Sequence, residues 1–113
     1  MYIGKSLAEN ENRAFKTSLP ELLILKLLQD QEMYGYEIVA AFPRETGLAL
    51  AEGVAYPLLH ALEKDGALKT RRAVEKGRPR IYYTITARGL RRLFELTDNW
   101  NRLNRAVQKL LEA

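Results

Sequence analysis

The stretch Glu75–Gly89, EKGRPRIYYTITARG, decides how the rest of the chain is read. It begins with a basic tip that holds a glycine and a proline. It continues with strand-like alternation, in which Ile81, Tyr83 and Ile85 point one way and Tyr82 and Thr84 the other. It stops at Thr86, a residue type that opens helices by accepting a backbone N–H. The segment before it, ALKTRRAV (67–74), also reads as a strand, so the two form a hairpin around a Glu75–Pro79 turn. A small protein cannot bury three cations at such a tip. A surface built to touch a polyanion has a use for them.

Upstream, helices are expected. Ser18-Leu19-Pro20-Glu21 has the spacing of a capping box, with the proline in the first turn where its missing N–H costs nothing. ELLILKLLQ then carries apolar residues at helical spacing, enough to be nearly buried. DQEMYG reads as a turn. YGYEIVAAF reads as a second helix ended by Pro43, RETG as a loop, and Leu48–Leu50 as a stub of strand. EGVAYPLLHALEKDG gives a third helix, with Gly66 just past its end. Thr86 caps a long last helix. Ser6-Leu7-Ala8-Glu9 also has capping-box spacing and admits a short helix in an N-terminal arm packed at a dimer interface. The order is helix, helix, helix, hairpin, helix. The expected fold is mostly α with a small β-hairpin: a winged helix-turn-helix plus a long C-terminal dimerisation helix. The divisions are an arm over 1–18, the winged DNA-binding domain over 19–86 and the dimerisation helix over 87–113.

Composition narrows the function. The chain has 113 residues, 47% hydrophobic and 28% charged, which suits one globular domain. It has no cysteine, which excludes disulfides and thiolate metal sites. The first sixteen residues lack the apolar core of a secretion signal. The longest apolar run, Leu22–Leu28, is broken by Lys26 and too short to span a bilayer. A cytoplasmic chain with no membrane partner is expected. Net charge is +4, but Glu63–Arg92 holds ten Lys/Arg against three Asp/Glu, a net +7, which leaves −3 on the rest. Concentrated positive charge is the footprint of a nucleic-acid partner. No nucleophile–base pair, phosphate-cradling glycine loop or metal-ligand spacing is present, and there is one histidine, so neither an enzyme nor a cofactor is expected.

Three groups of residues carry the functional reading. On the third helix, Ala55, Leu59 and Leu62 share a core face, while Glu52, Tyr56, His60 and Lys64 share another at steps of four. That second row can donate to phosphates or base edges; a plain solvated face is the alternative. At the hairpin tip, Lys76, Gly77, Arg78 and Arg80 suit flanking phosphates; edge-strand charge that blocks aggregation is the alternative. On the last helix, Leu93, Leu96, Trp100, Leu103, Val107 and Leu110 recur at steps of three and four, a seam for a second copy. Trp100 near a two-fold axis either lines a slot for an aromatic guest or anchors the interface.

These residues together resemble the PadR family of transcriptional regulators. The matching stretches are YGYEI (34–38), GVAYPLLHALEKDGAL (53–68), GRPRIYYTITARG (77–89) and the long last helix. The resemblance covers about Leu19 to Ala113, and the short LmrR-like branch is similar in length. It implies a homodimer on a palindromic double-stranded DNA operator, released by a small aromatic effector, with Trp100 at the place of a tryptophan that lines the drug slot in that branch. Departures are Ala51, where a capping serine is common, Ala55 and Ala61 on the third helix, and Ile81 in place of a wing cation. A winged-helix protein-interaction module without DNA binding is the competing function.

Overall fold

Six aliphatic side chains, Ile24, Leu25, Leu28, Ile38, Leu59 and Leu68, are fully withdrawn from water and mark the centre of the fold. The computed structural model describes residues 18–113. Its elements are α1 (Leu19–Leu27), β1 (Met33–Tyr34), α2 (Gly35–Thr46), α3 (Glu52–Lys64), β2 (Leu68–Glu75), β3 (Arg78–Ile85) and α4 (Ala87–Leu111). The arm expected before Ser18, with its helix at Ser6, lies outside the described residues. The three short helices, β2 and the first turns of α4 each contribute to one core. Each fully buried Leu or Ile in it contributes about 1.5–3 kcal/mol.

The sheet is antiparallel with strand order β1-β3-β2. β2 and β3 pair over their whole length, from Leu68↔Ile85 to Glu75↔Arg78. The turn is therefore only Lys76-Gly77, shorter than the expected Glu75–Pro79. Both turn residues have positive φ, 51° and 76°. Two such residues match the right-handed twist of a hairpin, which is why a glycine stands there. Pro79 lies inside β3 opposite Val74. It loses no sheet bond, because by the antiparallel alternation its nitrogen faces the edge that β1 does not reach.

Four local expectations differ from the structure. Ser18 does not cap α1: its backbone is helical and its side chain makes no cap bond. Glu21 instead reaches Arg92 on α4, Oε1 to Nε 2.7 Å. Pro43 does not end α2, which runs to Thr46 and stops at Gly47 with φ 75°. Proline's own φ fits a helix. In that last turn the Thr46 hydroxyl donates to the Phe42 carbonyl at 2.7 Å, and the Gly47 N–H donates to the Pro43 carbonyl at 2.8 Å. Leu48–Leu50 is not a strand; Leu50 drops into the core as an irregular plug. The third strand is Met33–Tyr34, in the stretch expected to be only a turn, and it pairs with Tyr83 and Tyr82.

Other expectations hold. Ala55, Leu59 and Leu62 form the buried face of α3. Its C-terminus closes with Gly66 N–H on the Glu63 carbonyl (3.0 Å) and Ala67 N–H on the Leu62 carbonyl (2.9 Å), a Schellman motif. Thr86 caps α4, its hydroxyl oxygen accepting the Gly89 N–H at 3.1 Å.

The α3 N-terminus is uncapped by any side chain, although Ala51 has the extended backbone (φ −68°, ψ 141°) a cap requires. Ala51→Ser is expected to stabilise the fold by about 1 kcal/mol. Urea unfolding checks it: the midpoint should rise with the slope unchanged.

Candidate nucleic-acid interface

With its core face buried, α3 turns Tyr56, His60 and Lys64 to solvent. They do not stand alike. His60 and Lys64 project freely. Tyr56 is 40% exposed, and its ring lies against Gly35, where an added Cβ would meet Cε1 at 2.8 Å. Partial burial, then the nearby Glu52 and Tyr36, push its hydroxyl pKa up, so it remains a proton donor.

Strand alternation divides the hairpin cations between two faces. Arg71, Arg78 and Arg80 share the outer face with Tyr82 and Thr84; Arg72 shares the inner face with Val74, Pro79 and Ile81. The direction of the β3 side chains is as expected, but Tyr82 is the most buried of them. A stack covers it. The Arg71 guanidinium sits 4.3 Å over the Tyr82 ring, Tyr34 meets Tyr82 edge-on at 5.5 Å, and Arg80 sits 4.1 Å over Tyr34. Arg71 is held by Glu32 through two bonds, Nε to Oε2 at 2.8 Å and Nη2 to Oε1. The Arg71 bonds hold the Glu32 carboxyl below its ordinary pKa.

The cation cluster therefore splits. Arg71 is committed to Glu32. Arg80 is stacked and lies 3.9 Å from Glu75, so it is less free for a phosphate than its sequence position suggests. Arg88 pairs with Asp65 (3.3 Å) and Arg92 with Glu21. Lys64, Lys69, Arg72, Lys76 and Arg78 have no carboxylate partner among the described residues. Lys76, Gly77 and Arg78 are exposed at the tip. Glu32 could not have been picked out as the partner of Arg71, since the two are 39 residues apart.

The α4 seam also divides. Leu93 is buried in the chain's own core and Leu96 packs partly against it, so these two belong first to the winged domain. From Asp98 onward every residue of α4 is exposed. Leu103 and Val107 are each 53% exposed, and Leu110 more so. Trp100 stands where the two halves meet, at one end of a groove of about 630 Å3 between α1 and α4. Leu22, Leu23, Leu48, Leu93 and Phe94 also line it. Phe94 was missed in the sequence because it lies off the seam.

Three helices with an exposed polar row on the third, followed directly by a cationic hairpin, define a winged helix-turn-helix of the kind found in regulators of transcription. Residues 24–99 match the transcriptional regulator PadR-like family, and the chain belongs to it. It is 35% identical to a transcriptional regulator of Mycobacterium tuberculosis over 83 residues, 74% of this chain and 77% of that one. A PadR family regulator from Eggerthella lenta superposes with a TM-score of 0.77 at 29% identity, covering 96% of both chains. Bacillus subtilis PadR, solved in complex with operator DNA, superposes with a TM-score of 0.64 at 28% identity, over 68% of this chain and 44% of that one. The family is one of transcription regulators and not of enzymes. Among the described residues no helix is long and apolar enough to cross a membrane.

Proposed function

We infer that the protein is a homodimeric repressor that binds a palindromic DNA operator and releases it when a small aromatic effector enters beside Trp100. One observation carries the DNA reading: the exposed His60 and Lys64 of α3 stand on the same domain as a hairpin tip whose Lys76 and Arg78 lack carboxylate partners among the described residues. α3 enters a major groove, and Lys76, Arg78 and part of Arg80 lie on flanking phosphates, with Gly77 keeping the tip slim. The uncovered α4 stripe supports pairing of two copies, whose recognition helices then meet half-sites about one helical turn apart or a small multiple. The groove at Trp100 supports the effector reading. Such a function operates on the chromosome, in the cytoplasm.

If the two wings and their surroundings neutralise about six phosphates, log affinity falls against log salt with a slope near −5. Replacing Arg78 and Arg80 together by alanine is expected to flatten that slope by about 2 to 3.5 units across the dimer, with sequence preference mostly kept. Arg78 accounts for the larger share, because Arg80 is already stacked on Tyr34. Fluorescence anisotropy at several salt concentrations reads this directly. Salt-independent binding, or a double variant that binds like wild type, rejects the wing assignment. No duplex binding at all leaves a protein-interaction module.

A further inference from the structure

An open groove of about 730 Å3 lies between the first turn of α2, the Tyr56 ring and the outer part of β3. Its lining includes Tyr36, Tyr56 and Arg78, and among the described residues none that lines it carries a carboxylate. Tyr36 is 62% exposed on the first turn of α2. Tyr56 is pinned by contact with Gly35, and Tyr36 is close enough to it to act on its ionisation. Past Tyr82 toward the tip, β3 has no neighbouring strand on this side among the described residues, because β1 ends at Tyr34. By the antiparallel alternation the Ile81 N–H points out of that edge toward the groove. Pro79 gives this edge no N–H, and the neighbouring pair on the same side is already taken by Met33↔Tyr83. The polar groups facing this space are thus hydroxyl and guanidinium donors, beside the apolar Pro79 and Ile81, and the acid Glu52 stands near Tyr56 outside the lining. That is the chemistry of a site for an anionic oxygen.

We propose that this groove seats one strand of the operator, with the hydroxyls of Tyr36 and Tyr56 and the guanidinium of Arg78 holding one backbone phosphate. The proposal rests on the DNA-binding reading above. It moves Tyr56 from base recognition to the backbone and adds Tyr36, which the sequence did not single out. It leaves His60 and Lys64 to face the base edges. Gly35 has a role in it: a side chain there would push the Tyr56 ring out of place.

The tyrosines are neutral donors, and this separates them from the wing cations. A hydroxyl on a phosphate adds affinity without releasing a counterion. Tyr36→Phe removes the hydroxyl and keeps the ring. It is expected to weaken binding at least about tenfold, equally on operator and on unrelated duplex, with the salt slope unchanged. Gly35→Ala keeps both hydroxyls but displaces Tyr56, and is expected to give a similar loss with the same slope. Circular dichroism establishes that both variants fold. A duplex scanned with single methylphosphonate substitutions then locates the phosphate. At one position per half-site, wild type should lose affinity and Tyr36→Phe should lose much less, since the two changes remove the same contact. The proposal is overturned by a Tyr36→Phe protein that binds like wild type, by a loss confined to the operator, or by the absence of any coupled phosphate. A wild-type protein that binds no duplex at any salt rejects the underlying DNA reading instead.

Discussion

Gly89→Ala is expected to destabilise the fold by about 3 kcal/mol or more, in a helix where the same change ordinarily helps. Alanine is the better helix former by about 1 kcal/mol, so propensity alone favours the variant. The packing at the start of α4 opposes it. Thr86 ties three elements together there: its N–H donates to the Ala67 carbonyl at 3.1 Å, its hydroxyl donates to the Gly66 carbonyl at 2.6 Å, and its oxygen accepts the Gly89 N–H. This draws the Ala67 carbonyl onto the bare Cα of Gly89. A Cβ there would lie 2.2 Å from that oxygen and 2.7 Å from Ile85 Cγ1. Ordinary C···O contacts begin near 3.3 Å, so the backbone must shift by about 1 Å, at the cost of the Thr86 bonds. The net loss is expected at about 3 kcal/mol or more, a large part of a typical domain's stability. Thermal unfolding by circular dichroism measures it. A variant as stable as wild type would mean that Ala67 does not press on α4.

The second large effect concerns association. Leu103 and Val107 lie one turn apart on the uncovered half of α4. Replacing both by aspartate is expected to convert dimers to monomers, because four carboxylates would enter one otherwise apolar seam. Arg102 and Arg105 flank the stripe, but Arg102 is already near Asp98 at 3.8 Å. In the single chain both positions are half exposed, so the monomer itself should keep its helical spectrum. Sedimentation velocity at micromolar concentration distinguishes the species. A wild-type protein that sediments as a monomer, or a double variant that stays dimeric, removes α4 as the dimer element.

What the sequence revealed follows from the range of the forces involved. The core face of α3, its Schellman end and the Thr86 cap were legible because each is written in residues within one or two turns of each other. Pro43 misled because a proline stops a helix only where its neighbours do not hold the turn, and the Thr46 hydroxyl does. β1 was illegible: two residues carry no period, and Met33–Tyr34 is a strand only because β3 lies beside it. The site shows the same limit. The row Tyr56, His60, Lys64 and the tip cations could be found by spacing and charge. That Glu32 occupies Arg71, and that Tyr34 occupies Arg80, depends on contacts across the sheet. The long apolar seam of α4 reads as one object in the sequence, whereas the fold places Leu93 in its own core and leaves the part from Trp100 onward exposed.

That division gives α4 a mechanical consequence. The helix is one unbroken rod of 25 residues, about 37 Å long. Its first turns are bolted through Thr86 to the base of the wing, and its far end projects from the domain. No glycine or proline interrupts it after Gly89, so it contains no natural hinge. A tilt of about 5° at the projecting end would then sweep the other end through roughly 3 Å over that length. Each reading head would travel with its stalk as a solid piece. The distance between the two heads of a dimer would be geared to the angle at which the stalks cross.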